Sequence, residues 1–360
     1  MKGVFILKIK NIENKKVKSI FLAVLAAALY GISSPVSKFL LIEIPPVLMA
    51  ALLYLGAGLG MFFINLIMVF RKKERVEAKM TKKEMPYILG MIVLDIVAPI
   101  LLMTGLSIST ASNAALLNNF EIVATSIIAL FVFKESIGKR MWLAIFFITA
   151  SSILLTFNID SFSFSFGSIL VLLACVSWGL ENNCTRMLSI KDPLQIVVVK
   201  GFGSGVGAFI ITVFLKEFSS NLFYVGLALT LGFFAYGLSI FFYILAQRDL
   251  GAARTSAYYA TAPFIGVIIS WIFFNENISK SFLTALFIMI IGAYFAVTEK
   301  HEHKHIHYEE THEHRHNHND GHHNHIHNPS VKGEHSHEHN HEKLEHKHSH
   351  MPDLHHKHSH

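Results

Sequence analysis

The chain has 360 residues, 52% of them hydrophobic and 16% charged, with a formal net charge of +6 at pH 7. Soluble domains carry about 25% charged residues, so this chain has too little charge to cover a water-facing surface, and most of its outside must face a lipid bilayer. All 23 histidines lie between His301 and His360, which separates a hydrophobic body of 300 residues from a polar tail of 60. The two cysteines, Cys175 and Cys184, stand in one apolar segment, which excludes a disulfide framework and a CxxC redox or zinc motif. No Gly-rich phosphate loop of the Walker or dinucleotide type is present. The positive charge of the body sits between apolar stretches, so nucleic acid is excluded as a partner. No nucleophile–base pair supports an enzyme.

A bilayer core about 30 Å thick requires roughly 20 apolar residues per helix. Ten such spans follow in chain order, near 19–42, 46–70, 86–108, 111–133, 139–157, 165–189, 193–216, 222–246, 252–274 and 280–298. The first lacks a small-residue cleavage site and nine more follow it, so it reads as a membrane helix and not as a signal peptide. Lys and Arg bias in short loops sets the orientation. The N-terminal segment carries Lys2, Lys8, Lys10, Lys15, Lys16 and Lys18, and the second loop carries Arg71, Lys72, Lys73, Arg75, Lys79, Lys82 and Lys83. The fourth loop has Lys134, Lys139 and Arg140, the sixth Lys191 and the eighth Arg248, whereas the odd loops are nearly bare apart from Lys216 and Lys280. Both termini are therefore expected in the cytoplasm, in a multi-pass protein of the cytoplasmic membrane.

The body repeats itself. Leu29-Tyr30-Gly31 aligns with Ser177-Trp178-Gly179 at an offset of 148, where Ser37-Lys38 also meets Thr185-Arg186 and Pro45 meets Pro193. At an offset of 141, Phe131-Val132-Phe133-Lys134-Glu135 meets Ile272-Phe273-Phe274-Asn275-Glu276. Five helices per half is an odd number, so the second half runs through the membrane in the opposite sense. The expected fold is an all-α membrane protein of ten transmembrane helices in two inverted five-helix repeats, an architecture of many secondary transporters with the substrate near the midplane. The expected division is a basic N-terminus at 1–18, repeats at 19–157 and 165–298, and a disordered tail at 301–360.

These residues resemble the EamA family of the drug/metabolite transporter superfamily. The features carrying the resemblance are Tyr30-Gly31 and Trp178-Gly179, Ala262-Pro263 in the ninth helix, and Glu135 and Glu276 closing the fourth and ninth. The resemblance spans roughly 19–298 and implies a ten-helix inner-membrane carrier working by alternating access, often exporting metabolites. One position departs from it. The family often has a proline in the fourth helix where this chain has Ile122, preceded by Glu121.

A charge at the bilayer centre is expensive on insertion scales, about 2.5–3.5 kcal/mol, so intramembrane ionisable residues usually face a cavity or a partner. Three acids fall well inside predicted helices: Asp95, Glu121 and Glu181. Helical spacing places Asn118, Glu121 and Thr125 on one face of the fourth helix, and Trp178, Glu181, Asn182 and Thr185 on one face of the sixth. Tyr30, Ser33, Ser34 and Ser37 form the corresponding face of the first, and Tyr236 is the counterpart of Asp95. The candidate substrate or coupling-ion residues are Asp95, Asn118, Glu121, Glu181, Asn182, Lys200, Tyr236 and Tyr259. Two alternatives stay open for Lys200, as counter-ion to an acid or snorkelling to the cytoplasm. Gly201, Gly203, Gly205 and Gly207 alternate, which predicts softening of the seventh helix and not a single close-packing face.

In the tail, histidines recur at every second position: His301, His303, His305, His307; His312, His314, His316, His318; His335, His337, His339, His341. A short unit follows twice, with His346, His348, His350 and then His356, His358, His360. With few apolar residues this segment is expected to lack a core, and its imidazoles suit Zn, Ni, Co or Cu ions as metal ligands. No cofactor is required by the body. The repeats, the intramembrane acids and the resemblance together imply a secondary transporter of a small solute, with export implied by the resemblance and a metal-binding tail by composition. The alternatives are a divalent transition-metal (Zn/Ni/Co) exporter, and a metal sensor or store without transport.

Overall fold

The structure is a computed structural model describing residues 2–70, 82–133, 137–158, 163–188, 191–250, 255, 258–276 and 278–298, and short backbone segments of the tail. Side chains are described from Val17 onward, apart from residues 133, 158, 163, 186, 247–250 and the whole tail. Eight described helical stretches are long and apolar enough to cross a membrane, and Ala262–Phe274 is a shorter apolar helix. With Phe166–Arg186 they make ten spans among the described residues, in the order of the ten apolar stretches of the sequence. The ninth described helix starts at Ala262, whereas the expected span begins at 252. The first helix begins earlier than expected, running from Lys2 to Gly31 through the basic N-terminal segment.

Local chemistry explains where the spans stop. Asp192 accepts from the backbone N–H of Leu194 at 2.9 Å, and Pro193 follows it at the first helical position of the seventh span, Pro193–Leu215. Ser279 caps the tenth span, Lys280–Val297, by accepting from Phe282 N–H at 3.1 Å. Asn275 closes the ninth at φ 47°, a left-handed conformation that asparagine tolerates. A two-residue hairpin, Phe157–Asn158 against Ser163–Phe164, joins the halves.

Loops that an odd–even count of ten crossings assigns to one side do meet. At one end, Lys38 Nζ donates to the carbonyls of Leu106 and Ser107 at 2.8 and 3.0 Å, joining the ends of the first and third spans. At the same end Glu276, after the ninth, accepts from Ala111 and Ser112 at the start of the fourth. At the other end Lys191 pairs with Glu84 at 3.5 Å, and Arg140 donates to the carbonyl of Thr298 at 2.8 Å.

The interior mixes small and polar residues with buried Leu and Met, such as Leu53, Met61 and Leu102, while Phe70, Phe131, Phe214 and Phe273 are exposed. That suits lipid, because association of membrane helices rests on close packing of small residues. The alternating glycines of the seventh span correct the expectation of softening. Gly201 and Gly205, four apart, press on the second span, where a Cβ on Gly201 would lie 2.4 Å from Gly58 N. Gly203 and Gly207 press on Ile92 and Ile96 of the third. Two interleaved four-residue faces on one helix appear in sequence as a two-residue alternation.

In the tail, the described backbone holds two antiparallel ladders, Glu302–His307 with Leu344–Ser349 and Glu310–His316 with His335–His341. This differs from the expectation of a chain without regular structure. The histidine alternation has the period of two that a strand requires. The register sets His303 opposite His348, His305 opposite His346, His312 opposite His339, His314 opposite His337 and His316 opposite His335.

Candidate functional site

Four spans lose α-helical regularity, and Ser33, Asn118, Glu121, Tyr236 and Tyr259 lie at or beside those interruptions. The first breaks at Ile32, between Lys2–Gly31 and Ser33–Leu40. The fourth breaks at Asn118-Asn119, between Ala111–Leu117 and Phe120–Phe133. The eighth passes through a π-helical turn at Phe233–Leu238, and the ninth restarts at Ala262 after a turn at Ala260-Thr261. Interrupted helices inside a bundle place polar backbone and side chains where a solute is bound, and π-turns recur at functional sites. The first and ninth cross closely. A Cβ on Gly31 would lie 2.6 Å from the carbonyl oxygen of Ala262, so only glycine allows this approach.

The first polar cluster is an ion triad. Lys200 Nζ lies 3.1 Å from Asp95 Oδ2 and 2.9 Å from Glu181 Oε1. Asp95 is 0% exposed, Glu181 1% and Lys200 8%, so the triad is closed off from solvent. Tyr54 donates to Asp95 Oδ1 at 2.8 Å, and Tyr54 and Trp178 belong to one buried cluster. Thr185 donates to Glu181. Of the alternatives for Lys200, the structure takes the counter-ion.

The second cluster surrounds Glu121. Asn182 Nδ2 donates to Glu121 Oε1 at 2.6 Å and reaches Thr125 Oγ1 at 3.3 Å. Its neighbour Asn183 donates to the Thr125 carbonyl at 3.2 Å and that of Gly179 at 2.8 Å. Glu121 lies within electrostatic reach of Glu181 and Lys200, so the clusters sense one another. A chain of tyrosines runs from Tyr54, beside the triad, to the first, eighth and ninth spans. Tyr30 stacks on Tyr259 with centroids 5.6 Å apart and meets Tyr236 edge-on at 6.0 Å. Tyr236 lies 5.4 Å from Tyr54, and Tyr243 lies 4.9 Å from Tyr259. Ser33 donates to Tyr236 at 3.3 Å.

The eight predicted residues therefore gather, though not on the faces their spacing implied. The sixth helix is split: Glu181, Thr185 and Trp178 serve the triad, whereas Asn182 serves Glu121. Asn118 stands at the break in the fourth helix and lines a small cleft with Tyr30, Gly31, Ser34, Ala115, Ala262 and Pro263. Tyr54 and Trp178 were outside the candidate set. Only the second span's contact with Asp95 reveals Tyr54, a contact between residues 41 apart. Glu135 lies outside the described residues.

Glu276 closes one end of the bundle. Its carboxylate accepts from Ala111 N–H at 2.9 Å, from Ser112 N–H at 3.1 Å and from the Ser112 hydroxyl. It also borders a cavity of about 750 Å³ lined in part by Thr110, Asn113, Ser279 and Lys280. The sequence marked Glu276 by repeat symmetry and by the family resemblance, outside the candidate binding set.

The sequence profile of the EamA-like transporter family matches residues 17–157 and 165–298, one match for each repeat. The chain belongs to the EamA-like transporter family. Curated relatives are named as transporters. A protein of Methanothermobacter thermautotrophicus named an uncharacterized transporter is 26% identical over 287 residues, 75% of this chain and 83% of its own length. YyaM of Bacillus subtilis, likewise named an uncharacterized transporter, is 24% identical over 225 residues, 59% of this chain and 73% of its own. A solved crystal structure shares the fold of this EamA-like chain with a TM-score of 0.55 at 15% identity, covering 78% of this chain and 96% of that one. The chain is thus a multi-pass membrane transporter of the small-solute class.

Proposed function

We propose that this protein is a proton-coupled secondary transporter of a small organic solute in the cytoplasmic membrane, working by alternating access as an exporter. The observation that carries the reading is the closed triad, in which two buried carboxylates share Lys200. With all three groups ionised the triad has one negative charge in excess, and a proton taken up by either carboxylate removes that excess. A buried site whose charge balance changes with one proton is the requirement for coupling. The charge bias of the loops supports an orientation with both termini in the cytoplasm. In that orientation the Glu276 closure lies at the outer end.

The tail is proposed as a cytoplasmic metal-binding appendage for Zn, Ni, Co or Cu. The support is its composition and a backbone register that sets histidine opposite histidine. Metal as the transported cargo has less support. Among the described residues, no three His, Cys, Asp or Glu side chains group closely enough to hold an ion. Storage or sensing without transport does not account for intramembrane acids paired inside the bundle.

The test is uptake by sealed proteoliposomes of a labelled panel of small solutes together with zinc, nickel and cobalt. Wild-type protein is expected to move at least one organic solute, and Asp95→Asn and Glu181→Gln are expected to abolish its accumulation against a gradient. Movement of metal alone, or accumulation unaltered in both variants, would overturn the reading.

A further inference from the structure

The geometry points to a protonated organic amine as the transported solute, held at Glu121 and Asn118 between tyrosine rings. This rests on the transport reading above and deepens it. The first ground is charge. Asp95, Glu181 and Glu121 are three acids inside the bundle, with Lys200 as the cation beside them, and Lys200 is already shared by two of the three. The contacts described at Glu121 are neutral: the Asn182 amide, with Thr125 beyond it. An anionic solute would enter a chamber already in negative excess, whereas a monovalent cation would balance it.

The second ground is independent of the acids. The side-chain oxygen of Asn118 is buried without a hydrogen-bond partner, in a residue 8% exposed that lines the cleft beside Tyr30 and Ser34. A buried acceptor left unpaired is unfavourable, and an ammonium group supplies three N–H donors. Asn118 precedes Glu121 by three residues, which puts a neutral acceptor and a carboxylate one turn apart.

The third ground is aromatic. Tyr30, Tyr236 and Tyr259 come from the first, eighth and ninth spans and all lie within electrostatic reach of Glu121. Ring faces attract a cation within about 6 Å of their centroids. An inorganic cation would use the carboxylate and gain little from the rings; an organic ammonium uses both. The cleft that Tyr30, Ser34 and Asn118 line measures about 10 Å³ and takes at most a water. Entry of an amine therefore separates Tyr30 from Tyr259, a movement that the breaks in the first, fourth and ninth spans allow.

The test measures equilibrium binding by calorimetry on the purified full-length protein with three matched probes: phenethylammonium, phenylacetate and 2-phenylethanol. Phenethylammonium is expected to bind about tenfold or more tightly than either partner, the scale of a hydrogen bond to a charged group. Glu121→Gln is expected to lose about tenfold and Tyr259→Leu several-fold, while removal of residues 301–360 changes nothing. Phenylacetate binding as well as the amine, or amine affinity unaltered in Glu121→Gln at an unchanged unfolding temperature, would overturn the inference. So would the failure of all three probes to bind the folded protein. Failure of the transport reading is separable: no solute of any charge would then move in vesicles. Failure of this inference leaves solutes moving with amines as non-competitors.

Discussion

Replacing Lys200 by methionine isolates the energetics of the triad. The ammonium lies 3.1 Å from Asp95 and 2.9 Å from Glu181, and both acids are almost fully buried. At an effective dielectric of about 20, each pair at about 3 Å attracts by about 5 kcal/mol. Removing the lysine forfeits both attractions and leaves two carboxylates facing each other. Proton uptake by one acid limits the loss, so the expected destabilisation is about 3–5 kcal/mol, the range for breaking a buried ion pair. Against a total stability of about 5–15 kcal/mol this is severe. Adding Asp95→Asn and Glu181→Gln to Lys200→Met removes the stranded charges and should restore most of the loss. Asp95→Asn alone leaves a neutral Glu181–Lys200 pair and keeps an acceptor for Tyr54, so it should cost no more than about 1 kcal/mol. The assay is equilibrium unfolding in mixed micelles followed by Trp178 fluorescence. Lys200→Met matching wild type, or a triple variant no more stable than the single one, would refute the assignment of the triad as a buried, mutually dependent unit.

Three further outcomes follow from other contacts. Gly201→Leu should prevent assembly of the second and seventh spans, because even a Cβ there meets Gly58 at 2.4 Å; size-exclusion profiles in detergent should show little monodisperse protein. Glu276→Ala removes three hydrogen bonds to Ala111 and Ser112. It should raise labelling of a cysteine at Ser34 by an external, membrane-impermeant thiol reagent several-fold, in a background with Cys175 and Cys184 replaced, and equal labelling would remove the closing role. A chain ending at Lys300 should lose nickel and zinc binding in equilibrium dialysis while keeping solute transport; retained metal binding would place the ligands in the body.

The spans were legible because lipid imposes a length and an apolar composition that few other structures share. Caps at Asp192 and Ser279 sharpened their ends. Asp95, Glu121, Glu181 and Lys200 were legible as site residues because buried charge stands out in such a sequence. Their pairing was not, since helical spacing assigns a face but not a neighbour: the Glu181–Lys200 bond and the separate duty of Asn182 depend on how the sixth span meets the fourth and seventh. The four interruptions were only partly visible. Pro263 announces one, whereas the break at Asn118-Asn119 and the π-turn around Tyr236 carry no strong breaker. Alternating glycines were misleading, because two packing faces on one helix overlap in sequence. In the tail, an alternation taken as ligand spacing also has the period of a strand.

The central claim is that the triad couples a proton to solute movement. The most direct measurement loads sealed proteoliposomes with a pH indicator and adds an outward gradient of a transported solute. Wild-type protein should move protons opposite to the solute, and Asp95→Asn should let the solute equilibrate with no accompanying pH change. Proton movement that persists in both Asp95→Asn and Glu181→Gln would contradict the account.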